Sequence, residues 1–223
     1  YASLAPGTLV MPDEMAVFPY APNWDIGRRG RAMAMPHRTM EWGQSQYLTS
    51  GWVDSRTPAQ LLAIRTTPTE LKLDFAERGG KLHAKNGLGA EIAMLVVVDA
   101  DGKTHWAKAI AADSTAAMES VEPSAAHIKL RSAALENRPE IPAEMQLTYN
   151  PNVYGFSHPG GGGGTNFNSL LEKSLAESLG SETSPPNIGP REYVAIVRDN
   201  PLVERGINKY RDEASFHVIR GIW

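Results

Sequence analysis

The sequence predicts a mainly β protein: an antiparallel β-sandwich core, Ig-like by analogy of architecture only, with two short helices and an α+β C-terminal portion. Three observations carry that expectation. Short β-branched or aromatic runs succeed one another at about ten-residue spacing between residues 46 and 122, with turn residues between them, as antiparallel sandwiches and barrels require. The stretch Glu70-Leu71-Lys72-Leu73-Asp74-Phe75 alternates strictly between polar and apolar, so its apolar side chains share one face of a half-buried strand. The 20 glycines and 16 prolines supply many turns and together exceed the usual share.

Each element has its own local reason. In residues 1–45, only Thr8–Met11 and Met15–Phe18 read as short strands, set among aromatic and proline-rich loop sequence such as Phe18-Pro19-Tyr20-Ala21-Pro22. Tyr47–Val53 and Leu61–Thr67 read as the next two strands, connected through Asp54-Ser55-Arg56-Thr57-Pro58. Glu77-Arg78-Gly79-Gly80 turns the chain after the alternating strand. Ala90–Val98, ending in three valines, reads as a central strand covered on both faces, and Asp99–Lys103 turns it into Thr104–Ile110, the best hairpin in the chain. Ser124 is placed to cap a helix from Ala125 to Glu136, stopped near Arg138-Pro139. Met145–Tyr149 reads as a further short strand. Leu171, Leu175 and Leu179 give a second helix its apolar stripe, with a capping box at Ser169–Glu172 and Gly180 as its stop. Tyr193–Val197 and Phe216–Trp223 close the chain as strands. On these grounds residues 1–122 form a sandwich domain with a loop-rich N-terminal segment, and 123–223 a smaller α+β portion packed on it; one single domain is the alternative.

Composition narrows the function classes. A net charge of −3 and a pI near 6.1 give no general attraction to nucleic acid or to an anionic membrane. The absence of cysteine removes disulfides, cysteine zinc sites and thiol catalysis. No run approaches the roughly 20 apolar residues that cross a bilayer. The first residue is Tyr1 rather than Met, and with the cysteine-free composition this leads us to expect an exported or membrane-tethered bacterial ectodomain, periplasmic or extracellular, with any membrane tether outside the given chain; a cytoplasmic protein is the alternative.

Four partial motifs fall short of a site. Ser157-His158-Pro159 followed by Gly160–Gly164 and Thr165-Asn166 lacks the lysine of a phosphate loop, since Lys173 lies beyond the capping box of the next helix. The same stretch comes within one residue of a G-x-S-x-G elbow around Ser157, but Pro159 takes the second glycine position. The glycines are therefore expected to be an exposed, mobile hinge. Asp99, Asp101 and Gly102 resemble the middle of a calcium loop, yet Val97 and Lys108 fall at ligand positions, which favours a plain hairpin turn. The six histidines, His37, His83, His105, His127, His158 and His217, include no metal-binding pair at helical spacing; a site built from distant strands would have to join partners such as His105 and His217.

The segment from Trp24 to Trp42 is different. It places Arg28, Arg29, Arg31, His37 and Arg38 between two tryptophans, and Arg and Trp are the residues enriched at binding hot spots. Trp24, Arg28, Arg29, Arg31, His37, Arg38 and Trp42 are thus the candidate contact residues, set against pairing of the arginines with the chain's own acidic residues.

The expected function is a non-catalytic binding or structural module with no cofactor, whose partner is a protein or a small-molecule or carbohydrate ligand, and not nucleic acid. Two alternatives remain: a hydrolase with a Ser/His or a His/carboxylate metal site, and an accessory domain of a membrane assembly, suggested by the apolar ending Val218–Trp223. Sandwich modules of this kind resemble many extracytoplasmic adhesion and accessory domains in architecture alone.

Overall fold

The computed structural model describes residues 9–11, 15–19, 37–43, 45–52, 61–137, 179, 187–198 and 217–223. The fold is mainly β, built of several antiparallel sheets. Its contacts divide the chain into two compact units: Tyr1–Thr69 with Leu202–Arg211, and Glu70–Pro201 with Asp212–Trp223.

In the first unit, β1 (Leu9–Met11), β3 (Thr39–Trp42) and β4 (Gln46–Ser50) form a three-stranded sheet in the order β1-β4-β3, and β2 (Ala16–Pro19) pairs with β5 (Leu61–Ile64). Period-2 geometry sends alternate residues inward. Leu9, Met11, Met15, Val17, Leu48 and Trp52 make one buried cluster. Gly51 lets the chain pass close to His37: its φ is +72°, and a Cβ there would stand 2.5 Å from the His37 carbonyl oxygen.

The second unit begins with a hairpin of β6 (Lys72–Arg78) and β7 (Lys81–Gly87). Gly79 and Gly80 both have positive φ, +58° and +72°, the two-residue turn geometry that matches strand twist and favours glycine. The short strand β10 (Thr115–Ala117) adds to β7. A five-stranded sheet follows the order β11-β9-β8-β12-β13, made of β8 (Ile92–Val98), β9 (Thr104–Ile110), β11 (Glu119–Ser120), β12 (Glu192–Val197) and β13 (His217–Ile222).

The valine-rich β8 is buried because both of its faces are covered. Leu95 and Val97 join Leu73, Leu82 and Ala84 of the three-stranded sheet in one cluster. Met94 and Val96 join Ala126, Leu130 and Ala133 of α1 (Pro123–Glu136) in another. The alternation breaks once, at Ala93: Ile92 belongs to the first cluster and Met94 to the second. The break coincides with a register shift opposite Ile196/Val197 and with a positive φ at Ala109 on the neighbouring strand, as a bulge produces.

One expectation changes here. Ser124 is not the cap of α1: Glu122 occupies the N-cap position without a side-chain bond, and Pro123 opens the helix, a position where its missing N–H costs nothing. The helix ends at Asn137, whose backbone and side-chain nitrogens both donate to the Ala133 carbonyl. Among the described residues α1 is the one helix. Of the expected second helix only buried Leu179 is described; the rest, like the expected strand Met145–Tyr149 and the hinge Gly160–Gly164, lies outside the described residues.

Candidate functional site

Of the residues singled out between Trp24 and Trp42, Trp24, Arg28, Arg29 and Arg31 lie outside the described residues. The other three do not converge. Arg38 sets its guanidinium 5.8 Å from the centroid of the Trp52 ring, a cation–π contact with its own unit. Trp52 is buried and its Nε1–H donates to the Thr39 carbonyl at 3.0 Å. His37 is exposed. Trp42 projects from the end of β3 and is 75% exposed.

Ser157 and His158 lie outside the described residues. The described histidines are dispersed. His105 faces Val97 across β8 and β9, whereas His217 faces Val197, which pairs with Ile92 at the other end of β8. Five residues of strand at about 3.3 Å each set the two rows roughly 15 Å apart. No group of three or more metal-ligating side chains occurs among the described residues.

Asp99 is a hairpin organiser. One carboxylate oxygen accepts from the N–H groups of Asp101 and Lys103 at 2.9 and 2.8 Å, and the other accepts from His105 Nε2 at 2.8 Å. Desolvation pushes its carboxyl upward, but the bonds from His105, Lys103 and Asp101 outweigh it and hold the group below its ordinary value.

Among the described residues, one candidate site lies between α1 and the five-stranded sheet. A cleft of about 90 Å³ is walled by Val96, Val98 and Thr104 of the sheet, by Pro123, Ala126, His127 and Leu130 of the first two turns of α1, and by Ile188. Sheet geometry explains the first wall: Val96 and Val98 are two apart on β8, and Thr104 is the cross-strand partner of Val98. Helical spacing explains the second, because Ala126, His127, Leu130, Ala133 and Ala134 form the buried stripe of α1.

His127 stands apart in this apolar setting. It is 5% exposed, and neither ring nitrogen has a hydrogen-bond partner. An unsatisfied buried polar group costs about 1–3 kcal/mol, so such an imidazole calls for an explanation. Sequence spacing alone placed His127 in no metal pair; the signal that marks it is its position on the buried stripe, one residue after Ala126 and three before Leu130.

The start of the helix adds to the picture. No side chain caps α1, and no acidic residue lies in its first turn. Its first N–H groups lack intrahelical partners, and the aligned peptide dipoles place partial positive charge there. No known protein family, curated protein or solved structure matches the chain.

Proposed function

We propose that the chain is a non-catalytic binding module whose ligand site is the cleft under α1. The buried, unpartnered imidazole of His127 carries this reading. A ligand that hydrogen-bonds it removes the cost of its burial, which is a driving force for binding that a filled core position lacks. The described walls offer one imidazole and one hydroxyl, of Thr104, and no carboxylate, a set that orients a ligand and supplies no acid–base pair. The test is titration of methyl-labelled protein with compact, weakly polar compounds. Shifts confined to the methyls of Val96, Val98, Leu130 and Ile188, lost in Ala126→Leu, are expected; unmoved methyls across the set would sink the proposal.

Two finer points belong to the same proposal. The second unit is an antiparallel sandwich, supported by the cluster that Leu73, Leu82 and Ala84 share with Leu95, Val97 and Ala195. The module works outside the cytoplasm, consistent with a cysteine-free chain that an oxidising compartment leaves unchanged; fractionation of cells carrying the tagged full-length protein tests this.

A second reading, a contact surface within an assembly, draws on the first unit. Phe18 and Leu62 are directly opposed on β2 and β5, and with Ile64 they leave an apolar face exposed. The other face of this sheet is buried through Val17 in the cluster with Leu9, Met11 and Leu48; a second copy of this chain would cover the exposed one. Sedimentation of wild type and of Phe18→Ser/Leu62→Ser decides: concentration-dependent dimers lost in the variant support this reading, and a monomeric wild type rules out the second copy.

A further inference from the structure

Resting on the cleft as a ligand site, we propose that it takes a compact aliphatic monocarboxylate, bound through His127 at the uncapped start of α1 with its hydrocarbon body against Val96, Val98 and Leu130. Size sets the first limit. At about 90 Å³ the cleft is smaller than the roughly 150 Å³ apolar cavity that accommodates benzene, so the part of the ligand held between the walls is smaller than benzene.

Polarity sets the second. The valine and leucine walls favour a hydrocarbon body, whereas His127 requires a hydrogen-bonding group because both ring nitrogens are buried and unpartnered. One of these nitrogens carries a proton in either tautomer. A carboxylate accepts that proton in a charge-assisted bond, stronger than a neutral ligand makes.

The charge is favoured by the helix. The cleft wall begins at Pro123 and Ala126, in the first turn of a 14-residue helix, and within that turn the dipole stabilises an anion. The protein has not already used that potential: Glu122 makes no side-chain cap bond and the first turn contains no acid. Thr104 adds a hydroxyl on the opposite wall.

Calorimetric titration of the full chain with isobutyrate, isobutyramide and isobutanol tests the proposal, alongside long-range ¹H–¹⁵N spectra of the His127 ring. Isobutyrate is expected to bind about tenfold or more tightly than either neutral probe, the margin of a charge-assisted hydrogen bond, and to shift both His127 nitrogens. His127→Phe, which keeps the ring bulk, is expected to lose isobutyrate affinity by a similar factor. A neutral probe that shifts His127 and binds as tightly as isobutyrate overturns the carboxylate and leaves the cleft a ligand site. Unmoved His127 nitrogens with all three probes overturn the cleft as well. If His127→Phe does not fold, the wild-type nitrogen shifts decide by themselves.

Discussion

Tyr193 lies over Gly221: the two residues are directly opposed on β12 and β13, and a Cβ at position 221 would stand 2.5 Å from the phenol oxygen and 2.6 Å from Cζ. The glycine is there for close approach, and the aromatic ring covers the backbone that a side chain would otherwise shield. Tyr193 in turn packs near Phe75, which contacts Trp223. Gly221→Ala should destabilise the protein by about 1–3 kcal/mol, as overpacking does, read from the urea midpoint. Combined with Tyr193→Leu it should cost less than the sum of the two single changes.

Asp99 links stability to pH. Its folded-state carboxyl sits below the ordinary value of 3.8, so it contributes stability that is present above the unfolded pKa and is lost as pH falls through the folded one. Asp99→Asn should cost about 1.5–3 kcal/mol near neutral pH, the worth of a hydrogen bond to a charged group. That difference should shrink below about pH 4. Urea melts of both proteins at several pH values measure it, and a difference independent of pH would contradict this account.

Asn86 is fully buried, and every polar atom of its side chain is engaged. Its amide nitrogen lies within hydrogen-bond distance of the carbonyls of Ala90, Ile110 and Ala111, and its oxygen accepts from the Leu88 N–H. Asn86→Ala should cost about 3 kcal/mol or more, because several buried groups lose partners at once. Asn86→Asp should be worse at neutral pH, since a carboxylate only accepts and would face three carbonyl oxygens. Acidification should recover part of that loss, visible in circular dichroism melts.

The start of α1 gives a prediction of opposite sign. Glu122 is the N-cap residue and makes no cap bond, so Glu122→Ser should stabilise the helix by about 0.5–1 kcal/mol. Ser124→Ala should stay within about 0.5 kcal/mol of wild type, as exposed non-cap positions do. Thermal melts of the two variants distinguish the observed cap from the one that the Ser124 side chain suggests.

The strands most legible in sequence were those whose pattern is local. Leu73 faces inward as the alternation from Glu70 to Phe75 requires, and β8 is covered on both faces as its valines imply. The strand β7 had no such mark. Leu82, Ala84 and Asn86 do alternate inward, but alanine and asparagine give little apolar contrast, and the strand is formed by the Gly79-Gly80 turn that folds it onto β6. Partnership between neighbours in the chain was legible, as in the hairpin of β8 and β9, but partnership between distant strands was not. Phe75 and Tyr193 meet although they are far apart in the chain, and no local pattern specifies which distant strand fills the edge beside β8. His127 escaped notice for a related reason, because its isolation depends on what α1 packs against.

Insertion of β12 between β8 and β13 also sets an order of events during synthesis. The hairpin of β8 and β9 emerges complete, but the other edge of β8 waits for residues 193–197. At about 5–20 residues per second, the intervening hundred or so residues take about 5–20 s to appear. Through that interval the all-apolar strand β8 presents bare N–H and C=O groups to any extended segment nearby. The nascent chain is therefore most exposed to mispairing after its central hairpin has formed, and rapid synthesis through β12 shortens that interval.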